Sequence, residues 1–584
     1  MKQVFRHLKR LDLFCVLGAV VFIAAQVRLD LKLPDYMTEI ALLVRTPGGE
    51  LGRIWAAGGK MLVCALGSLV AAVIAALFTA KLAAHFGASL RGALYDKVLS
   101  LSTAEVNRFS AAGLITRTTS DVAQVQMLIA LGLQAIFKAP ITAVWAIFKM
   151  SAKSQAWALS TASAAAILLV CAGIGAALVL PRFKQLRKSA DELNRVTGEH
   201  LSGLRDIRAC SGEDCQQSKF DRVGEALTAA DFYTGRVMSF LMPTVQLVMN
   251  GLNLAIFWLG AVLIGRAGMA ERAGLFSDMI VFSQYAMQLA AAFMTLAELF
   301  VLFPRAMVSV ERIAQVLDTV PALRDGPAEL PLGGRRGTVE FRHVSFRYPD
   351  AEEEALHDIS FTAGRGETVA FIGAAGSGKS TLAQLVPRFY DATEGHVLVD
   401  GVDVRAYRQT DLRNRIGYVS RPAVLFSGTV RSNVAFGTCG KAMEGNVVDA
   451  VYTAQAAEFV EQMDGGYDAP IARRGANLSG GQKQRLSIAR AVCRDPEILI
   501  FDDAFSDLDE KTIRELRRSI AADCKGCTKL IVAQRIAAIR DADRILVLED
   551  GRIVGMGTHG ELLERCEVYR QIARSQLPEE ELGA

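Results

Sequence analysis

Residues 61–80, 156–180 and 237–265 contain not one charged side chain. Each run is long enough to cross the roughly 30 Å hydrocarbon core of a bilayer, which takes about 20 helical residues. Inside lipid no water pairs with the backbone, so such a run must close its own hydrogen bonds, and here that means a helix. A fourth run, 279–297, is also free of charge, and apolar character resumes past Glu298 to residue 303. Two segments are less clean. Residues 13–27 reach spanning length only with the stretch to Leu33, which holds Arg28, Asp30 and Lys32, and residues 122–148 are interrupted by Lys138 and Pro140. The pattern predicts an all-α membrane domain of about six long helices, an even number that returns the chain to its starting side. Lys2, Arg6, Lys9 and Arg10 assign that side to the cytoplasm, and no small-residue cleavage site follows them, so no cleavable signal peptide is expected.

Between the second and third spans, over about 81–121, and between the fourth and fifth, over about 182–236, lie polar helical stretches longer than ordinary loops. The spans are therefore expected to continue into the cytoplasm and end in turns that touch something there. Polar side chains within spans are functional candidates. Gln246, Asn250 and Asn253 fall at i, i+4, i+7, on one helix face, and Gln284 and Gln288 repeat the i, i+4 spacing with Tyr285 beside them. These faces either line a water-filled cavity for an amphipathic substrate or hydrogen-bond between helices. Lys138 and Glu298 keep three readings open: a buried charge pair, a substrate contact, or interfacial groups.

Composition agrees with a chain partly in lipid. Apolar residues make up 51% of 584, too many residues for a single core, and the mean hydropathy is +0.26. A net charge of +4 is near balance and asks for no nucleic-acid partner. The ten cysteines are scattered, with Cys15, Cys64 and Cys171 in apolar runs, which reads as buried thiols rather than a disulfide framework. Cys524-Lys525-Gly526-Cys527 is a lone C-x-x-C without a second pair or a nearby His, and is not read as a metal or redox site.

The second half begins after a Pro- and Gly-containing joint, residues 321–337, with a strand-like alternation over 338–348. Gly373-Ala374-Ala375-Gly376-Ser377-Gly378-Lys379-Ser380 fits G-x-x-x-x-G-K-[ST], follows an apolar run and leads through Thr381 into a helix. The glycines let successive N–H groups turn inward onto phosphate oxygens, and the helix N-terminus adds partial positive charge. Lys379 is expected to reach the β- and γ-phosphates of ATP, and Ser380 to hold a magnesium ion. Tyr348, shortly before the loop, could stack on adenine. Downstream, residues 498–501 form a short apolar run ending in Asp502-Asp503, and a carboxylate at the tip of a buried parallel strand suits magnesium, so Asp502 takes that role. Leu478, Ser479, Gly480, Gly481 and Gln482 open a helical run, a second helix end fit to read an anion.

With these motifs in this order the chain resembles an ABC transporter half-unit of the exporter type, membrane domain first and α/β P-loop ATPase domain of the ABC type second. The resemblance covers nearly the whole length and places a membrane domain at 1–318, a linker at 319–337, the nucleotide-binding domain at 338–577 and a tail at 578–584. It implies that two half-units pair head to tail, the signature Leu478 to Gln482 of one closing over the ATP of the other. It also implies that the long cytoplasmic extensions carry coupling helices and that Tyr348 is the adenine-stacking aromatic.

Several positions depart from the family pattern. Where the family has the glutamate that polarises the attacking water stands Asp503, one methylene shorter. Gln534 replaces the switch histidine and cannot carry its charge or relay a proton. Arg421 replaces a glutamine that reaches magnesium and water; a guanidinium there is repelled by the metal but could bind phosphate. Arg473 stands where many members have an acidic residue, and Asp507 replaces a small residue. The chain therefore resembles the degenerate half of a heterodimeric ABC exporter, binding ATP with Mg2+, hydrolysing it poorly and lending an intact signature to a complete partner subunit. The expected cargo is an amphipathic small molecule, with lipid, peptide or siderophore transport, or a sensor role, as alternatives. The expected setting is the bacterial inner membrane, among membrane lipid, with the ATPase domain cytoplasmic.

Overall fold

The computed structural model describes residues 10–45, 51–151, 155–327, 337–349, 351–438 and 444–577. Lys2, Arg6, Lys9, much of the joint 321–337 and the tail 578–584 lie outside these residues, as does the side chain of Glu298. The chain divides into two compact units, Met1–Ser100 with Phe109–Thr319, and Leu101–Arg108 with Val320–Ala584.

The described residues of the first unit are almost all helical. Helices α1 (Arg10–Asp30) and α2 (Leu33–Arg45) form its first stretch, and α3 (Leu51–Ser100) its second. Past the short α4 (Thr103–Phe109), all but its last residue assigned to the second unit, α5 (Ala111–Thr116) runs through a π-turn at Arg117–Asp121 into α6 (Val122–Ser151). Helix α7 (Gln155–Ser202), the short α8 (Leu204–Ala209), α9 (Glu213–Arg266) and α10 (Met269–Asp318) complete it. Six long stretches thus stand where six spans were expected. Leu11–Ile40, Leu51–Ser100, Ala111–Lys149 and Pro243–Arg266 are long and apolar enough to cross a membrane, Gln155–Cys171 is a shorter apolar helix, and α10 carries the charge-free run 279–297. At 1.5 Å per residue, helices of 48 to 54 residues such as α7 and α9 extend about 70–80 Å, more than twice a hydrocarbon core. The polar extensions are therefore continuous with the spans, and α8 is the short turn between α7 and α9.

Trp157, Ile256, Phe282 and Tyr285 lie at the centre of one apolar cluster of the bundle. The Trp157 ring meets Phe282 edge-on at 4.6 Å and its Nε1 donates to the Ile256 carbonyl at 3.2 Å, which satisfies the indole inside an apolar site. The break between α1 and α2 frees backbone carbonyls, and side chains from other helices take them up. Gln288 Nε2 donates to the Asp30 carbonyl at 3.1 Å, while Tyr285 Oη and Lys149 Nζ reach the Leu31 carbonyl at 3.2 and 3.3 Å. The acidic side chains at the break are matched as well: Asp35 by Tyr285 Oη at 2.7 Å and by Lys149, Asp30 by Ser68.

In the second unit, β1 (Val339–Phe346), β2 (Leu356–Ala363), β4 (Glu394–Val399) and β5 (Val402–Asp403) form an antiparallel sheet in the order β2-β1-β4-β5. A six-stranded sheet combines β3 (Thr368–Gly373), β6 (Ile416–Val419), β9 (Ile498–Asp502), β10 (Thr528–Val532), β11 (Arg544–Glu549) and β12 (Arg552–Gly557), and β7 (Gly428–Thr429) pairs with β8 (Pro470–Ile471). The order in the large sheet is β12-β11-β3-β10-β9-β6, parallel except for β12. Its central strands bury both faces, Val369 and Phe371 entering one core and Ala370 and Ile372 the other, which explains their unbroken apolar sequences. Strand β10 pairs Val532 with Phe371 on one side and with Asp502 on the other. The chain therefore leaves β3, β9 and β10 on the same edge, where the phosphate loop, Asp502-Asp503 and Gln534 follow.

Candidate functional site

The phosphate loop turns from β3 into α11 (Lys379–Leu385). Gly378 has φ 90°, and a Cβ there would stand 2.6 Å from the Ala355 carbonyl oxygen; one on Gly373 would meet the Leu548 oxygen at 2.0 Å. Both positions require glycine. Gly378 caps α11 without a side chain, so the first-turn N–H groups remain available to an anion. Lys379 Nζ lies within the curl, donating to the carbonyls of Gly373 and Ala374 at 2.9 and 2.6 Å and to Ser377 Oγ at 3.1 Å. Burial lowers its pKa and the nearby Asp503 opposes that, so the ammonium is partly desolvated and ready for a stronger anionic partner.

Ser380 Oγ donates to Asp502 Oδ1 at 2.6 Å, and Tyr418 Oη to Asp502 Oδ2 at 2.7 Å. A hydroxyl beside a buried carboxylate is an all-oxygen donor set, and Ser380 with Asp502 could hold a magnesium ion. Burial and then the Asp502 charge raise the Tyr418 pKa, so its hydroxyl keeps its proton and orients the carboxylate. Tyr348 is half-buried, its hydroxyl 2.9 Å from Thr381 Oγ1 and its ring packed edge-on against Tyr390 at 5.3 Å.

A second constellation surrounds Asp503. Arg421 Nη1 donates to Asp503 Oδ2 at 2.6 Å, Gln534 Nε2 to the same oxygen at 3.2 Å, and Arg421 Nη2 to Asp507 Oδ1 at 3.2 Å. The bond to Asp503 raises the Arg421 pKa. Asp503 sits at φ 54°, a left-handed conformation that aspartate tolerates better than most residues. Arg421, read from the sequence as a group that could bind phosphate, here engages two carboxylates.

The signature stands apart. Ser479 caps helix α12 (Gly480–Val492) with a capping box, accepting from Gln482 N at 3.3 Å while its own N–H donates to Gln482 Oε1 at 2.9 Å. Ser479 and Gly480 are exposed and Leu478 is buried beneath them. Among the described residues no hydrogen bond joins Leu478, Ser479 or Gln482 to the phosphate loop. Within the bundle, Asn253 Oδ1 accepts from Ser283 Oγ at 2.9 Å and Gln288 bridges to the α1–α2 break, so both bond between helices. Gln246 and Asn250 are exposed, Gln284 is half-buried, and Lys138 borders a cavity.

Sequence reasoning assigned no role to Tyr418 and no partner to Asp507. The usable signal was that β6 and β9 are both short apolar runs ending at the same edge, which brings Tyr418 level with Ile500, close to Asp502.

Two family models match the chain: "ABC transporter transmembrane region" over residues 59–293 and "ABC transporter" over residues 356–506. An uncharacterized ABC transporter ATP-binding protein of Mycobacterium tuberculosis is 37% identical over 542 residues, 92% of this chain and 90% of the relative. The chain belongs to the ABC transporter family. A Bacillus subtilis relative, also an uncharacterized ABC transporter ATP-binding protein, is 35% identical over 91% of both chains. An ATP-dependent lipid A-core flippase of Pseudomonas putida is 31% identical over 84% of this transporter and 80% of the flippase. A solved bacterial Atm1-family ABC exporter with ATP bound matches with TM-score 0.84 at 24% identity, covering 97% of this chain and 99% of that one, which shows the shared fold. The transporter is thus a multi-pass membrane protein of exporter-type fold whose fused, cytoplasmic ATPase domain binds ATP and couples its hydrolysis to transport.

Proposed function

We propose that this chain is the ATP-retaining half of a two-chain exporter in a bacterial inner membrane, moving amphipathic small molecules. The observation that carries the reading is the ion pair of Arg421 with Asp503 and Asp507. A general base must offer a free lone pair to the attacking water. Asp503 is one methylene short of the family's glutamate, and its Oδ2 receives a guanidinium and an amide, which tie the carboxylate to Arg421 and Gln534 and leave only Oδ1 to a water. Binding is a different matter, since the phosphate loop, Lys379, Ser380 and Asp502 are all in order. A magnesium ion held by Ser380 and Asp502 would neutralise phosphate oxygens. Lys379 would turn from its loop carbonyls to the phosphates, and Tyr348 would flank the base. The exposed signature at Ser479 and Gly480 is suited to close over ATP held by another chain, so its integrity beside a weak base favours a complete, non-identical partner.

A lipid cargo is the second substrate reading, favoured by the flippase among the relatives. The partner claim is tested by isolating the tagged chain from its own host's membranes in mild detergent. The expected result is a one-to-one complex with a second half-transporter carrying Glu and His at the positions of Asp503 and Gln534. A stable homodimer with ordinary ATP turnover contradicts the proposal.

A further inference from the structure

A cavity of about 270 Å3 opens between α6 and α10, both within the helical unit. Helix α6 contributes Leu131, Gln134 and Lys138, which share one face, and α10 contributes Leu299, Leu302 and Arg305. The helices approach closely at its edge, where a Cβ on Gly132 would lie 3.3 Å from Leu299 Cδ1.

Its two cations differ from others on the same helices. Lys149, also on α6, is matched by Asp35, and Arg312, also on α10, by Asp121 and Asp191. Among the described residues no carboxylate lies within ion-pair distance of Lys138 or Arg305. Arg272, at the start of α10, donates to the Ala267 carbonyl; among the described residues Lys138 and Arg305 are the cations of the two helices that border this cavity, and leucines form its walls. Lys138 stands within an apolar span, where an ionisable group is costly unless something compensates it, and the exposed Arg305 lies just past the apolar run that ends at residue 303.

We propose that this cavity binds the head of an anionic amphipath, an oxyanion such as a phosphate or carboxylate on an apolar body. Arg305 offers a planar fork that fits such an oxyanion, Lys138 a movable point charge, and Gln134 a neutral amide. The volume is near the lower end of small-molecule pockets, roughly 300–1,000 Å3, which suits a head group with the start of its chain. The proposal rests on the transporter reading above and narrows its substrate class to anions.

The test uses the full chain in phosphatidylcholine nanodiscs, with dodecyl phosphate displacing a fluorescent alkyl phosphate. Displacement is expected with dodecyl phosphate and not with dodecyltrimethylammonium. Lys138→Met and Arg305→Met should each weaken it about tenfold or more, and Arg305→Lys less. Competition by phosphatidylglycerol added to the nanodiscs would identify a lipid head as the occupant; its failure to compete would identify an amphipath arriving from outside the bilayer. Equal displacement by the cationic amphipath, or indifference to both Met substitutions, overturns the site. So does a tenfold gain in affinity on Glu298→Gln, which would make Glu298 the resident counter-ion. ATP binding by the same samples separates the two levels. No displacement by dodecyl phosphate from the unmodified chain, with its ATP binding retained, overturns the anion site alone, whereas an unmodified chain that binds no ATP overturns the reading beneath it.

Discussion

The Arg421 guanidinium donates to Asp503 Oδ2 at 2.6 Å, at the position from which a general base would have to reach the attacking water. Catalysis by a positioned general base is worth about 10²–10⁴-fold, so restoring one should be easy to detect. In the isolated pair, with the partner's catalytic carboxylate removed, Arg421→Gln, Asp503→Glu and Gln534→His introduced together should raise ATP turnover about tenfold or more over background. No gain would show that these three positions do not limit hydrolysis. The lone C-x-x-C is also decided at this scale. Burial pushes the Cys527 thiol up to about 12 and raises Cys524 as well, whereas Cys210 and Cys215 are exposed. At pH 8 iodoacetamide should therefore label Cys210 and Cys215, spare the buried Cys527 and label the half-buried Cys524 more slowly than the exposed two, as peptide mapping would read. Because the folded value of Cys527 stands above the ordinary 9.0, its contribution to stability is complete below pH 9 and is lost as pH rises towards 12.

Helix α1 and strand β3 show what an element's sequence does and does not carry. Strands β3 and β9 were legible because both faces are buried and the apolar run is unbroken, and the phosphate loop because its spacing is local. The break after α1 was not legible. Its partners Ser68, Lys149, Tyr285 and Gln288 stand 38 to 258 residues from it, and no local periodicity marks such pairings. For the same reason Arg421 announced a departure from the family pattern while its partners, 82 and 86 residues further on, stayed hidden. The break yields its own prediction. Tyr285→Phe removes a buried hydroxyl serving the Leu31 carbonyl and Asp35, and should cost about 1–3 kcal/mol, seen as a lower thermal midpoint of the chain in detergent. An unchanged midpoint would mean that Lys149 and Gln288 hold the break by themselves.

Across the whole molecule the two nucleotide-handling parts of this chain are unequal. On the proposed reading, the phosphate loop with Ser380 and Asp502 holds ATP, the group around Asp503 cleaves it poorly, and the capped, exposed signature serves another nucleotide. The proposal assigns the two sites to two non-identical chains. The most direct test is the ATPase activity of the isolated pair with Asp503→Ala or Ser479→Ala in this chain. The account predicts that Asp503→Ala leaves turnover within about twofold of the unmodified pair, while Ser479→Ala reduces it at least about tenfold by depriving the partner's ATP of its signature. Loss of activity on Asp503→Ala would make the aspartate a working base and contradict the asymmetric reading.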